Sequence, residues 1–149
     1  MTATPEQLQL MLYDGAIRFT RQAIDGLNQG KYEDVFNGFS RAQKIVLELL
    51  SSLNYDVDRE LCTRMAGLYN YIYRRLVDAN LNRDTALAHE ALDLLVYQRE
   101  TWVMLINKLV QERSGASAGL ELASKAPTRP AQPPAAAENE VYGSLSVQG

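Results

Sequence analysis

The chain has 149 residues, enough for one compact domain and a tail, and 46% of them are hydrophobic and 22% charged, as in an ordinary globular protein. A net charge of -3 gives no electrostatic basis for binding nucleic acid or an anionic membrane. The single cysteine, Cys62, excludes an intramolecular disulfide and a multi-cysteine zinc site. With no signal-peptide pattern and no apolar run near the ~18 residues of a membrane span, the sequence predicts a soluble cytoplasmic protein without membrane insertion.

The first predicted helix covers residues 5–29. Thr4 is a good N-cap, Pro5 suits the first helical position, and Gln7 can complete a capping box with Thr4. Gly30 is the expected C-terminal glycine. One face of this helix carries Leu8, Met11, Leu12 and Gly15. A glycine on that face predicts the close approach of another helix or of a bound peptide.

Three further helices are predicted over residues 32–53, 58–79 and 84–113, with Asn80 as a left-handed terminator and Asp84 as an N-cap. Apolar residues recur in each at alternating steps of three and four, which is typical of helices in a bundle. Because the linking turns are short, neighbouring helices must be antiparallel. The predicted fold is all-α, an antiparallel up-down-up-down four-helix bundle with a disordered C-terminal tail.

The composition changes near Ser114, and most of the prolines follow that point. Residues 1–113 are therefore predicted to form the bundle, and residues 114–138 a disordered linker rich in Ala, Pro and Ser, because such a sequence cannot bury enough apolar surface. Residues 139–149 regain apolar character and are predicted to be a tip that could dock as an extended peptide.

Little in the sequence indicates catalysis. A di-iron site needs several histidines, and His89 is the only one in the chain. Cys62 has no histidine close in sequence and is better explained by packing than by nucleophilic chemistry. No glycine-rich phosphate loop and no nucleophile elbow occur. The sequence therefore predicts no enzyme, no catalytic residue, no metal site and no cofactor.

Apolar side chains are more numerous than one bundle seam requires. Tyr69, Tyr71 and Tyr73 spread around the third helix, and each could equally be an amphipathic tyrosine with its ring buried and its hydroxyl in water. The first two helices show a similar excess at Leu10, Met11, Tyr13, Ile17, Phe36, Ile45 and Leu50. An apolar surface wider than one seam indicates a binding site for a protein partner.

Several sequence blocks carry a family resemblance. They are Ala3-Thr4-Pro5-Glu6-Gln7-Leu8, Leu10-Met11-Leu12-Tyr13-Asp14-Gly15-Ala16-Ile17, Ala42-Gln43-x-Ile45 with Glu48-Leu49, Ser51-Ser52-Leu53-Asn54, Leu68-Tyr69-x-Tyr71-x-Tyr73-Arg74-Arg75-Leu76-x-x-Ala79-Asn80, and Leu94-Leu95 with Arg99-x-x-Trp102. In these blocks, spread over residues 3–105, the chain resembles the FliS family of flagellin-specific export chaperones.

The resemblance implies a non-catalytic chaperone. Such a protein binds the C-terminal segment of flagellin in the cytoplasm, prevents premature polymerisation and assists delivery to the flagellar type III export gate. Its partners would be flagellin and the export apparatus, and a weak homodimer is one option for the free protein. The alternative is a generic helical adaptor that binds another helical or disordered protein.

The expected client contacts are apolar residues on the first three helices, with Arg75 and Asn80 as polar clamps. The apolar set is Leu8, Met11, Leu12, Tyr13, Ile17, Ile45, Leu49, Leu53, Leu68, Tyr71 and Leu76. About half of this set is expected to serve the core instead.

Two features depart from the family pattern. Family members usually carry a longer segment before the block that here contains Thr4 and Pro5, and a shorter tail after the bundle. One hypothesis is that Val141, Tyr142, Leu145 and Val147 fold back and occupy the client groove when no client is bound. The competing interpretation is a tail with no role.

Overall fold

Four helices form an antiparallel bundle in the computed structural model, which describes the backbone of residues 2–125 and the side chains of residues 2–116. Within these residues there is no strand. The helices are α1 (Pro5–Gln29), α2 (Tyr32–Ser51), α3 (Arg59–Asn82) and α4 (Thr85–Lys125). Helices α1 and α3 each pack against both α2 and α4. The predicted all-α four-helix bundle is confirmed.

The ends of α1 are as predicted. The Thr4 hydroxyl accepts a hydrogen bond from the Gln7 backbone N–H at 3.2 Å, and the Gln7 side chain accepts one from the Thr4 N–H at 3.0 Å. This reciprocal pair is the capping box. Gly30 ends the helix in the left-handed conformation, with φ of 69°. Local sequence alone therefore fixes both ends of α1.

The end of α3 differs from the prediction. Asn80 does not terminate the helix, which continues to Asn82, and Arg83 adopts the left-handed conformation with φ of 51°. Asp84 follows directly, and its carboxylate accepts hydrogen bonds from the N–H groups of Ala86 at 2.9 Å and Leu87 at 3.3 Å. Because Asp84 is the N-cap of α4, the turn between the two antiparallel helices has to be made at Arg83.

Helix α4 is also longer than predicted. It runs to Lys125 instead of ending near residue 113, so residues 114–125 are helical and are not the start of a linker. This stretch contains alanine, leucine and glutamate, which favour helix, and the first proline after residue 113 is Pro127. The remainder of the predicted linker and the tip lie outside the described residues. Helix α2 differs in the other direction, since it ends at Ser51 and not at Leu53.

Helices α1 and α2 approach each other closely. A Cβ atom built on Gly15 would lie 3.0 Å from the Ile45 Cδ1 atom, so the neighbour predicted for this glycine is another helix. Gly38 is tighter still, because a Cβ there would lie 2.6 Å from the carbonyl oxygen of Phe19. The core between the four helices is closed by large side chains that are fully buried, among them Phe39, Leu49, Ile72, Leu76 and Leu95.

Candidate partner-binding surface

Two buried tyrosines join α1 to α3 across the core. The rings of Tyr13 and Tyr69 are 1% and 0% exposed, and their hydroxyl groups are hydrogen-bonded to each other. The Gln9 side-chain amide donates a longer hydrogen bond, 3.5 Å, to the Tyr69 hydroxyl. Burial raises the pKa of Tyr69 well above its usual value, and the neighbouring Tyr13 raises it further. The hydrogen bond between the two hydroxyls therefore links α1 to α3 inside the core.

Several side chains expected to contact a partner lie inside the bundle instead. Tyr13, Ile17, Leu49 and Leu76 are at most 5% exposed and belong to the hydrophobic core. A partner docking on the outside of this conformation cannot reach Ile17, Leu49 or Leu76, and it can meet Tyr13 only where its ring lines a groove between α3 and α4. The physical reason is that the core is wider than the single seam inferred from sequence, because it also takes in the tyrosine pair.

A second group of the expected residues forms a surface at the end of the bundle where α1 begins. Leu8 is 50% and Met11 62% exposed, and Leu12, Ile45 and Leu53 are half-buried against the core. The turn spacing places Leu8 and Leu12 on the same side of α1 as Gly15, which contacts Ile45 of α2. We call these five residues the α1–α2 face.

The remaining expected residues lie on α3 and do not form one patch. Tyr71 is 38% exposed, its hydroxyl donates to the Glu90 carboxylate of α4, and the Arg75 guanidinium stacks 4.7 Å from its ring centre. The Arg75 Nε atom lies 3.6 Å from a Glu90 oxygen, and hydrogen bonding with Tyr71 raises the pKa of Arg75. Asn80 is about two and a half turns from Tyr71 and so lies on the opposite side of α3.

An apolar groove of about 360 Å³ opens between α3 and α4. We call it the α3–α4 groove. Its walls are almost entirely apolar, and they are formed by Tyr13, Leu61, Arg64, Met65, Leu68, Gln98, Thr101, Trp102 and Leu105. The Trp102 indole N–H donates to the Glu6 carbonyl oxygen at 3.0 Å, which ties this wall to the first turn of α1.

Of this lining, only Leu68 and Tyr13 are among the residues expected from the sequence to contact a partner. Leu61 and Leu105 are not in that set, yet they are 52% and 45% exposed. The signal that could have identified Leu61 is its position one turn after the N-cap Asp58, because residues at the end of a bundle are only partly covered.

Comparison with known proteins identifies the family. The family model described as Flagellar protein FliS matches residues 1–109. The chain belongs to the FliS family. Among its curated relatives, the flagellar secretion chaperone FliS of Bacillus subtilis is 36% identical over 115 residues, which cover 77% of this chain and 85% of the relative. The protein of the same name from Salmonella typhimurium is 34% identical over 109 residues, covering 72% and 81% respectively. The family resemblance seen in the sequence is confirmed.

FliS is a family of chaperones and not of enzymes. Within residues 2–125, no group of three or more His, Cys, Asp or Glu side chains is placed to hold a metal ion. His89 is exposed, and the Cys62 thiol is buried and donates to the Asn54 carbonyl oxygen at 3.3 Å. None of the described helices is both long and apolar enough to cross a membrane. Among the described residues, the α1–α2 face and the α3–α4 groove are two apolar surfaces that could bind a partner.

Proposed function

We propose that this member of the FliS family is a cytoplasmic export chaperone for flagellin. It binds the C-terminal segment of flagellin, prevents that segment from polymerising too early and assists delivery to the flagellar type III export gate. The observation that carries the proposal is the α1–α2 face, because large apolar side chains at the start of α1 are exposed on a chain of this family.

The placement of these side chains supports a contact role. Leu8 and Met11 lie on a helix whose opposite side already supplies the core residues Tyr13 and Ile17. Leu8 and Met11 are therefore exposed although α1 is fully packed against the core on its other side. An apolar patch that the bundle does not use for its own packing is a recognised sign of a protein-binding site.

The client contacts we propose are the expected residues that the bundle leaves accessible. They are Leu8, Met11, Leu12, Ile45, Leu53, Leu68, Tyr71, Arg75 and Asn80. Leu68 opens onto the α3–α4 groove, whereas Tyr71 and Arg75 form the polar pair with Glu90. Because these residues lie on several sides of the bundle, a client that touches all of them has to wrap around it. A segment that is disordered when free and folds on binding can cover such a surface.

Binding of a flagellin C-terminal peptide to the full chain tests the proposal by calorimetry. The double variant Leu8→Ser/Met11→Ser removes two apolar side chains that the client would bury. We expect the binding free energy to weaken by about 2 kcal/mol, which is about 30-fold in affinity. Phe36→Ser is the matched control, because Phe36 is 62% exposed like Met11 but lies near the start of α2, at the other end of the bundle.

The outcomes separate the alternatives. Loss of affinity in the double variant with normal affinity in Phe36→Ser supports the proposal. No binding of the flagellin peptide by the unmodified chain contradicts it and favours the generic helical adaptor.

A further inference from the structure

We propose that the C-terminal tip of this chain docks through its apolar part, residues 141–147, in the α3–α4 groove of its own bundle. The groove is apolar, it opens near the same end of the bundle at which α4 leaves, and the tip follows α4 after about 16 residues of chain. The docking itself does not depend on the proposed function.

The tip has the chemistry that this groove selects. Val141, Leu145 and Val147 are at odd positions, so in an extended conformation they share one side of the segment. The groove spans about two turns of each helix, or ~10 Å. Leu145 and Val147 would lie about 7 Å apart on that side, so both anchors fit within its length.

The charges beside the groove and beside the tip are opposite, which also favours docking of the tip in the groove. Arg64 is the one charged residue among the groove's lining. Two carboxylates, Glu138 and Glu140, lie just before Val141 in the sequence. Arg64 is paired with Glu60 at 2.7 Å, but both side chains are about three-quarters exposed. An exposed pair of this kind within one helix is weak, so Arg64 is available to a second carboxylate.

The segment between the end of α4 and the tip is long enough for the tip to reach back to the groove. Leu105 in the groove wall lies about 20 residues before Lys125, which is ~30 Å along α4. About 16 residues separate Lys125 from Val141, and a proline-containing segment at ~3.1 Å per residue spans ~50 Å. The tip therefore reaches the groove with length to spare.

Tethering makes a short apolar segment sufficient. A short linker gives an effective concentration of about 1 mM, at which a segment with a dissociation constant near 0.1 mM is docked about nine-tenths of the time. Because Leu68 belongs to both the groove and the proposed client surface, a docked tip would compete with the client. That consequence rests on the proposed function.

Trp102 is the only tryptophan and lines the groove, so its fluorescence reports on the tip without any added label. In the full chain, Leu145→Ser/Val147→Ser should raise the acrylamide quenching constant several-fold, because only about a tenth of the molecules are open beforehand. Ala135→Ser/Ala137→Ser, which introduces two serines at the same spacing outside the tip, should leave the quenching constant unaltered. Leu105→Ser should expose Trp102 as the tip variant does, with circular dichroism confirming that the bundle is intact.

Equal quenching in the unmodified chain and the tip variant would overturn the proposal. So would protection that disappears on dilution, since that pattern places the tip on a second copy. If Trp102 is protected by the tip but the chain fails to bind a flagellin peptide even after the tip is altered, the proposed function fails and the docking stands.

Discussion

The tyrosine pair in the core allows a quantitative prediction about stability. Tyr69→Phe removes a hydroxyl that is fully buried, and the Tyr13 hydroxyl then has no partner. A buried polar group left unsatisfied costs about 1–3 kcal/mol, so we expect a loss of about 2 kcal/mol in the free energy of unfolding. Tyr13→Phe should cost less, about 1 kcal/mol, because Tyr69 keeps its hydrogen bond from Gln9.

The double variant distinguishes pairing from packing. When both hydroxyls are removed, no buried group lacks its partner, so the total loss should be about 1 kcal/mol and not the ~3 kcal/mol of the sum. Urea unfolding followed by far-ultraviolet circular dichroism measures all four proteins, provided that the slope of the free energy against urea is unchanged. Additive losses, or a larger loss from Tyr13→Phe than from Tyr69→Phe, would refute the reasoning.

Three further outcomes are expected from the same unfolding assay. The raised pKa of Tyr69 favours its neutral form in the folded state, so its contribution to stability is complete below pH ~10 and falls by about 1.4 kcal/mol per pH unit above it. Urea unfolding between pH 9 and 11 should therefore show a shallower decline in Tyr69→Phe, and parallel curves would contradict this. Gly38→Ala should lose about 1–3 kcal/mol, because its Cβ would lie 2.6 Å from the Phe19 carbonyl oxygen. Gly67→Ala, which meets nothing within 4 Å on an exposed part of α3, should gain up to about 1 kcal/mol; a loss there would show that the α3 surface is more constrained than the contacts indicate.

Local signals predicted the helices well and their final turns less well. Thr4, Gln7 and Gly30 act within a few residues of themselves, so the pattern was sufficient to place α1. The end of α3 depends on where Asp84 caps the next helix, which makes Arg83 the left-handed residue although asparagine suits that conformation better. The end of α4 depends on helix-favouring residues that also suit a flexible linker, and composition alone does not separate the two.

The binding surface was harder to predict than the fold, because an apolar residue at helical spacing serves a core and a surface equally well. Tyr13 and Met11 are neighbours in the same block, yet one is 1% and the other 62% exposed. What separates them is the tyrosine on α3 that meets Tyr13 across the core, a long-range contact that the spacing within α1 does not reveal. The α3–α4 groove was missed for a related reason, since its residues continue the packing stripes beyond the part of the bundle that covers them.

Methyl NMR of the full chain, recorded with and without the flagellin C-terminal segment, tests the central claim most directly. We predict that the methyl signals of Leu8, Met11 and Ile45 shift on binding, because the client covers the α1–α2 face. The buried methyls of Ile24 and Val35, which lie towards the other end of the bundle and away from the proposed contacts, should change little. Unchanged signals on the α1–α2 face in a saturated complex, or the absence of any complex, would contradict the account.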